Sequence, residues 1–351
     1  MRLQAALTIA AMAMALIARG AEQTAITDDK IMGDYVGAYS SAKGSPLKAE
    51  AKVIAEGTKV KGFEGKSAYR AVLSTAPAEK EGQAVTVELR GPLEGDQLPL
   101  ADKTTNPDWT GKIANEKLTV EPKGESSGRF ELKHVVLHSP TEGRKPPAGA
   151  IVLLPYEPGK PTNLDEWTIK TWKILPDGSV EITKGSNRTV RQFGDVQLHV
   201  EFLCPYQPQG RGQGRGNSGV YLAGRYEVQV LDSFGLRPTP GDCGGIYGTA
   251  APKVNACFPP LSWQTYDITF RTARLAADGA VEKPGTLTVL HNGVKIHDQQ
   301  EMSRGTAKFR RFGQEPTVGP VLLQDHGHPV CYRNIWLVEL KDEPPKTPAT
   351  K

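Results

Sequence analysis

Apolar and polar residues alternate in short runs along most of this chain, and glycine, proline and aspartate separate the runs. The clearest run is Tyr226 to Leu231, which a tight turn at Ala223-Gly224 joins to an apolar run before it. Because successive side chains of a strand point to opposite faces, Glu227 and Gln229 share a polar face, and Asp232 follows at the strand end. The pattern predicts a sheet with one face packed on a core and a polar face for water or a ligand.

The spacing of these runs predicts an all-β protein with two domains. Runs between residues 25 and 140 predict a smaller all-β domain of unassigned role, and the one expected helix is short, Thr27 to Tyr35. The polar, proline-rich stretch 141–148 is the expected linker, since proline cannot join a strand ladder. Many short strands from 149 to 340 predict a sandwich. The tail 341–351, rich in Lys, Glu, Pro and Thr, is expected to be disordered.

The first twenty residues have the pattern of a secretory signal peptide. Arg2 precedes an apolar run from Ala5 to Ala18, and small residues follow where a signal peptidase would cleave. The alternative is a membrane anchor, but the run is shorter than the roughly 20 residues that a bilayer span needs. We therefore expect residues 1–20 to be removed. The mature chain would begin at Ala21, be periplasmic or extracellular, and have no membrane association.

Composition limits the partners. The chain has 351 residues and a formal net charge of +4, which does not argue for nucleic acid. The basic run Arg211 to Gly216 is short and lacks interleaved aromatic residues, so a solvated loop is the preferred interpretation. No calcium-loop spacing or dinucleotide fingerprint is present, and we expect neither a bound metal nor a cofactor.

The four cysteines predict one disulfide. Their spacing fits no zinc site, and an exported protein meets oxidising conditions. Cys243 and Cys257 flank one loop rich in glycine and proline and form the best pair. Cys204 and Cys331 lie on strand-like segments and are equally consistent with buried thiols.

Several motifs occur in the order of a known family. Besides Gly216 to Ser233, they are Ile246-Tyr247-Gly248, Trp263 with Tyr266-Asp267-Ile268, Thr288 to Val294, and Leu323 to Val330 with Tyr332 to Trp336. With these motifs, the region from about 149 to 340 resembles the 3-keto-disaccharide hydrolase family. The resemblance implies a concanavalin A-like jelly roll, in which two curved antiparallel sheets form a sandwich with a carbohydrate site on the concave side.

The resemblance also implies a reaction, the cleavage of a glycoside already oxidised at C3. A ketone at C3 acidifies the proton at C2, so a base can remove it and the C1 substituent can leave by β-elimination. Water then adds to the unsaturated sugar, and the net result is hydrolysis. Such a site needs a base, an acid for the leaving group and donors to the enolate oxygen. The substrate is an oxidised carbohydrate, and a sugar 3-dehydrogenase is a possible upstream partner.

The resemblance assigns roles to particular residues. Glu227 is the candidate acid and His326 the candidate base, with the reverse assignment open. Gln229 stands where a paired-carboxylate glycosidase would have an acid, which argues against a conventional retaining mechanism. The candidate substrate-binding residues are Tyr221, Arg225, Gln229, Asp232, Trp263, Gln324 and Arg333.

Four alternatives remain open at this point. One is that Glu227 pairs with an arginine and only shapes the sheet. Another is that His326 is a structural residue bonded to a backbone carbonyl. The fold also serves lectin-like modules that bind carbohydrate without turnover, because a fold by itself does not decide function. Ordinary glycoside hydrolysis without prior oxidation is the fourth, and Gln229 makes it less favoured.

Overall fold

A computed structural model describes residues 31–41, 44–75, 85–101, 106, 108–124, 128–302 and 317–341. The predicted signal peptide and all of the predicted tail except Lys341 lie outside the described residues. The chain divides into two compact units between Leu137 and His138, and the short loop Tyr206–Arg211 belongs to the first unit. Within the described part of the chain, no helix has the length and apolar character needed to cross a bilayer.

The first unit is an antiparallel barrel in which each strand pairs with the next and β1 closes the sheet on β8. Its strands are β1 (Gly33–Ser40), β2 (Leu47–Gly57), β3 (Ala68–Thr75), β4 (Thr86–Pro92), β5 (Leu98–Ala101), β6 (Trp109–Ala114), β7 (Lys117–Pro122) and β8 (Arg129–Val135). Alternate side chains fill the interior, among them Val53, Leu73, Leu89 and Phe130, all fully buried.

The predicted helix from Thr27 to Tyr35 is wrong over its described part, because β1 begins at Gly33. Tyr35 lies opposite Ala51 of β2 and His134 of β8, and its side chain is fully buried. Pairing on both edges closes the barrel and satisfies the backbone, whereas an isolated helix of nine residues would be marginal in water. Tertiary pairing therefore decides the conformation of this segment.

The second unit is a sandwich of two antiparallel sheets. The large sheet has the order β10-β11-β22-β13-β16-β19-β20, with β9 also paired to β22, and the small sheet has the order β12-β21-β14-β15. The strands are β9 (Ile151–Leu154), β10 (Lys173–Ile174), β11 (Val180–Glu181), β12 (Asn187–Arg188), β13 (Val196–Leu203), β14 (Ser218–Leu222), β15 (Tyr226–Val230), β16 (Trp263–Arg271), β17 (Arg274–Leu275), β18 (Val281–Lys283), β19 (Gly285–His291), β20 (Val294–Met302), β21 (Leu322–Leu323) and β22 (Cys331–Glu339).

The core of this unit lies between the two sheets. Tyr226 of the small sheet and Phe270 of the large sheet meet with ring centroids 5.8 Å apart, and Val228 and Ile268 beside them are fully buried. The alternation read from the sequence is therefore realised, and the predicted all-β sandwich is confirmed. Because side chains alternate along a strand, Glu227 points to the outer face of the small sheet.

The stretch expected as a linker packs on the large sheet instead. Gly143 donates its backbone N–H to Glu201 Oε1 at 2.6 Å, and Glu142 accepts a hydrogen bond from Arg333 Nη2 at 2.7 Å. Ser139 Oγ lies 2.5 Å from Thr265 Oγ1. These polar side chains find partners on the sheet, so the segment is part of the second unit and not a free connection.

The predicted disulfide between Cys243 and Cys257 is not formed in the structure, where both are buried free thiols. Cys243 Sγ lies 3.2 Å from the Tyr266 hydroxyl, and Cys257 Sγ donates to the carbonyl of Phe258 at 3.3 Å. A hydrogen bond with Cys243 and burial raise the pKa of Cys257 well above its usual value.

Candidate active site

The outer face of the small sheet carries a buried carboxyl group, that of Glu227. Glu227 on β15 lies directly opposite Tyr221 on β14, so their side chains share a face. The Tyr221 hydroxyl donates to Glu227 Oε2 at 2.7 Å, and only 2% of Glu227 is exposed. The neighbouring position on β14 is Gly219, where a Cβ would collide with Glu227 Oε1. The glycine therefore makes the space that the carboxyl group occupies.

Two glutamines extend this arrangement, and both belong to the predicted set. Gln324, directly after β21, donates from Nε2 to the Tyr221 hydroxyl at 3.1 Å, while its buried Oε1 has no partner among the described residues. The carboxamide of Gln229 fits best with its nitrogen toward Glu227 Oε1 (3.1 Å) and the Ser218 carbonyl (2.7 Å), where both oxygens accept its N–H groups. In the opposite orientation it donates to Gln213 Oε1 at 2.9 Å.

We call Tyr221, Glu227, Gln229 and Gln324 the Glu227 cluster. Burial raises the pKa of Glu227 to about 7, and the hydrogen bond from Tyr221 opposes this rise. Burial and the nearby Glu227 charge raise the pKa of Tyr221, so its hydroxyl stays protonated. A carboxyl group that titrates near neutral pH can donate or accept a proton under ordinary conditions.

The two histidines after β21 lie at different depths. His326 is exposed, and its ring stacks on that of His328 with centroids 6.2 Å apart. His328 is partly buried, and its Nδ1 accepts the backbone N–H of Asn217 at 3.2 Å. Burial and the neighbouring His326 lower the pKa of His328. Asn217 in turn donates to Gln213 Oε1 at 2.9 Å, and this glutamine adjoins Gln229.

His328 is thereby linked to the Glu227 cluster. The link runs through Asn217 and Gln213, two residues that the sequence analysis did not select. The buried Oδ1 of Asn217 has no partner in the described part of the chain. Buried acceptors without a partner are uncommon in folded proteins, so those of Gln324 and Asn217 are candidate sites for substrate hydroxyl groups.

Two other predicted binding residues have local roles at the ends of β15. Asp232 Oδ2 accepts from Arg215 Nε at 2.6 Å, and both side chains are buried. Burial raises the pKa of Asp232, although the Arg215 charge and hydrogen bond oppose it. Arg225 lies in the turn before β15, with its guanidinium carbon 5.9 Å from the centroid of the Tyr226 ring.

Arg333 and Trp263 lie together on the outer face of the large sheet. The guanidinium of Arg333 sits 3.9 Å from the Trp263 ring centroid and 4.5 Å from that of Tyr156. Its Nε donates to Glu201 Oε2 at 2.7 Å. One face of the Trp263 ring, a predicted substrate-binding residue, therefore carries Arg333.

A second buried polar group surrounds Arg333, and we call His199, Glu201, Asp267 and Arg333 the His199 cluster. His199 Nδ1 lies 2.8 Å from Asp267 Oδ1, and its Nε2 lies 3.4 Å from Glu201 Oε1. Burial would lower the pKa of His199, but hydrogen bonds to Asp267 and Glu201 outweigh it and raise the pKa. Burial would raise the pKa of Glu201, but His199, Arg333 and Asn334 outweigh it and lower the pKa.

A comparison with protein families relates these clusters to known proteins. The family described as "3-keto-alpha-glucoside-1,2-lyase-like domain" matches residues 149–338, just over half of the chain. The chain belongs to this family. Among curated proteins, no match is found.

Two solved structures, each called a "putative glycosyl hydrolase" from Parabacteroides distasonis, are similar to the same region. The first is 35% identical, with a TM-score of 0.49, and the match covers 55% of this chain and 85% of the solved chain. The second is 20% identical, with a TM-score of 0.39, and the match covers 51% of this chain and 90% of the solved chain. Both TM-scores lie below 0.5, so neither adds to the family match. Family membership establishes a carbohydrate-active protein with a sandwich fold.

In this member of the 3-keto-alpha-glucoside-1,2-lyase-like family, all residues of both clusters lie within the matched region. The segment that covers the His199 cluster, with Glu142 and Gly143, precedes that region. Sequence reasoning missed His199 and Glu201, although a signal existed: two ionisable residues occupy one face of the apolar run Val196–Leu203. Among the described residues no group of His, Cys, Asp or Glu is placed to hold a metal ion.

Proposed function

We propose that this protein cleaves glycosides that carry a ketone at C3 of the sugar. The observation that supports the proposal is the Glu227 cluster, a buried carboxyl group held by Tyr221 and Gln229 with the unpaired amide oxygen of Gln324 nearby. The family name describes lyases of 3-keto-glucosides, and the geometry supplies a proton-transfer group suited to that chemistry.

The reaction begins when a base removes the proton at C2. The electron pair of the C2–H bond delocalises into the C3 carbonyl and forms an enolate. The enolate then expels the C1 substituent, the C1–O bond breaks, and a C1=C2 double bond forms. The leaving oxygen takes a proton from an acid. Water then adds across the double bond, which regenerates the C2 proton and completes a net hydrolysis.

Glu227 is the acid in this proposal. Since burial raises its pKa to about 7, a substantial fraction is protonated at neutral pH and can protonate the leaving oxygen. The Tyr221 hydroxyl donates to Glu227 Oε2 and holds the carboxyl group in place. Gln229 and Gln324 adjoin Glu227, and the Oε1 of Gln324, which has no partner among the described residues, can accept a hydrogen bond from a sugar hydroxyl.

The base is supplied by the segment after β21. His326 is the first candidate because its ring is exposed and therefore able to meet a substrate. His328 is the weaker candidate, since its Nδ1 lone pair already accepts the N–H of Asn217 and the proton of the neutral ring then lies on Nε2. The proposal further requires a reaction that oxidises C3 beforehand, the chemistry of a sugar 3-dehydrogenase. Export of the chain is part of the same proposal.

The deciding experiment offers the purified protein a 3-keto-glucoside beside its unoxidised parent. We expect product only from the ketone and a transient unsaturated sugar in a rapid-quench time course. A 3-keto-glucoside with deuterium in place of the proton at C2 should react more slowly. Equal cleavage of both substrates would favour ordinary hydrolysis, and binding of the ketone without any product would favour a lectin-like module.

A further inference from the structure

The loop that follows β15 returns to pair with that strand beside the Glu227 cluster. Ile246 lies opposite Val228 in an antiparallel bridge. The next residue, Tyr247, donates its backbone N–H to the carbonyl of Glu227 at 3.1 Å. Because paired residues stay opposite each other along an antiparallel ladder, Tyr247 lies directly opposite Glu227. Tyr247 belongs to a sequence motif that has no role in the proposed reaction so far.

The side chain of Tyr247 shares the outer face with the carboxyl group of Glu227. Ile246 and Val228 are both fully buried, so this pair points into the core between the sheets. Since successive side chains point to opposite faces, Tyr247 points outward. Tyr221 lies opposite Glu227 on its other side. The carboxyl group therefore has a tyrosine in the cross-strand position on each side.

Tyr247 is the accessible member of this row. Only 2% of Glu227 and 6% of Tyr221 are exposed, whereas Tyr247 is partly exposed. The Tyr221 hydroxyl already donates to Glu227, while that of Tyr247 has no hydrogen-bond partner among the described residues. Burial and Glu227 are the main causes that raise the pKa of Tyr221, and the nearby Tyr247 raises it further. A substrate that approaches Glu227 from solvent therefore meets the Tyr247 hydroxyl.

A tight turn fixes the backbone on which Tyr247 stands. Thr249 donates its N–H to the carbonyl of Ile246 at 2.8 Å, which closes the turn around Tyr247. Gly248 has a φ of 65°, in the left-handed region that glycine adopts without steric cost. The bond to β15 holds the other side of the residue. A donor that is fixed before the substrate binds needs no reorganisation at the moment of reaction.

The ring of Tyr247 also borders the polar network that leads to the histidines. A Cβ added at Gly241 would lie 3.9 Å from Cε2 of Tyr247, so the two residues are in contact range. The carbonyl of Gly241 accepts from Gln213 Nε2 at 2.8 Å, and Oε1 of the same glutamine accepts from Asn217 at 2.9 Å. Asn217 is the residue whose N–H is bonded to His328. Tyr247 and the segment after β21 therefore border one network.

We propose, on the basis of the proposed function, that Tyr247 is a further catalytic residue, the hydrogen-bond donor to the enolate oxygen. When the base removes the C2 proton, negative charge moves onto the oxygen at C3, and the phenolic O–H donates to it. The charge leaves this oxygen when the C1–O bond breaks and the C3 carbonyl re-forms, so Tyr247 keeps its proton throughout. Because the oxygen is more negative in the enolate than in the ketone, the bond lowers the barrier more than it strengthens substrate binding.

The test compares wild type with Tyr247→Phe, which removes only the hydroxyl. We expect kcat on a 3-keto-glucoside to fall by about 10²–10³-fold, the usual loss for one such donor, with little change in KM. A second substrate isolates the enolate step. A carbocyclic 3-keto analogue without an oxygen at C1 cannot eliminate, so deuterium incorporation at C2 in D₂O reports proton removal alone. The exchange rate should fall by the same factor as kcat.

Tyr156→Phe is the matched control. Tyr156 is also a partly exposed tyrosine of this unit, but it lies against Arg333 on the other sheet. Its variant should keep kcat within about threefold of wild type, well below the loss of a donor. Equal losses in the two variants would overturn the proposal. So would wild-type kcat in Tyr247→Phe with a loss only in Tyr247→Leu, because the ring and not the hydroxyl would then matter.

The two substrates separate this proposal from the proposed function. If wild type cleaves the 3-keto-glucoside and Tyr247→Phe does so at the same rate, the role of Tyr247 is wrong and the function stands. If wild type exchanges the C2 proton but does not cleave, the function is wrong, and the exchange rate of Tyr247→Phe still decides the role of Tyr247. Neither exchange nor cleavage by wild type would overturn both.

Discussion

The outer faces of the two sheets both carry buried carboxyl groups, but the charges around them differ. In the Glu227 cluster the carboxyl group receives hydrogen bonds from the neutral side chains of Tyr221 and Gln229. In the His199 cluster, Glu201 is equally buried yet meets Arg333 at 2.7 Å and His199 at 3.4 Å. The same kind of residue therefore has two different electrostatic environments within one sandwich.

The consequence appears in the pKa values. Burial raises the pKa of Glu227 to about 7, whereas the neighbours of Glu201 overcome burial and lower its pKa. In the His199 cluster, cationic neighbours balance the carboxylate charge and favour the ionised form. In the Glu227 cluster the side chains of Tyr221 and Gln229 that bond to the carboxyl group are neutral, and the protonated form is favoured. Burial alone does not decide the direction in which the pKa of a carboxyl group shifts; the charge of its partners does.

The strongest test compares isosteric substitutions in the two clusters. Glu227→Gln removes the exchangeable proton and should lower kcat on a 3-keto-glycoside by about 10²–10⁴-fold, the usual cost of losing a general acid or base. Glu201→Gln should leave kcat of the folded protein within about threefold of wild type, well below that range. Steady-state kinetics on both variants, with circular dichroism to verify folding, measure the difference. Equal losses in the two variants would remove the distinction.

The second test concerns the histidines that follow β21. His326→Ala should lower kcat by about 10²–10⁴-fold if its exposed ring is the base. His328→Ala should act mainly on KM, because this ring positions Asn217 through the 3.2 Å contact with its N–H. If instead only His328→Ala lowers kcat, the base is His328 and the assignment from sequence is wrong.

The third test measures stability, and here we expect the larger effect in the His199 cluster. Glu201→Gln leaves Arg333 with less compensation in a buried site, and breaking such a pair typically costs about 3–5 kcal/mol in the free energy of unfolding. Glu166→Gln is the control, because its ion pair with Arg191 is more exposed, and such pairs contribute about 0–1 kcal/mol. Urea denaturation would show this order, and a cost for Glu201→Gln no larger than the control would contradict it.

The fourth test uses pH. The pKa of Glu227 rises from 4.5 to about 7 on folding, so its contribution is fully present below pH 4.5 and is lost as the pH rises through 7. A shift of this size corresponds to about 3 kcal/mol. The stability of wild type relative to Glu227→Gln should therefore fall by about that amount between pH 5 and pH 8, measured by urea denaturation.

Glu201 has the opposite sign, because its pKa is lowered on folding. Its contribution is present above pH 4.5 and is lost as the pH falls through its folded value. The stability of wild type relative to Glu201→Gln should then decrease on acidification. Parallel pH profiles for the two variants would show that the two carboxyl groups do not differ as described.

Local sequence predicted much of the sandwich but not the grouping of its functional residues. The alternation around Glu227 placed it with Gln229 on a polar face, and the turn at Ala223-Gly224 has the positive φ values, 51° and 61°, of a tight hairpin. Strand pairing then added Tyr221 and Gln324. Strand pairing also placed Arg333 and Trp263 on the other sheet. This could not be predicted, because the sequence motifs carry no information about which sheet each strand joins.

The sequence by itself determined the side-chain periodicity, the turns and the family, since these depend on neighbours along the chain. Only the tertiary structure decided that Gly33–Ser40 is a strand that closes a barrel, that residues 139–143 cover the His199 cluster, and that Cys243 and Cys257 are buried. The pKa of Glu227 also belongs to this second group. Each depends on residues distant in sequence, whose contacts outweigh local preference once burial removes water as a competing partner.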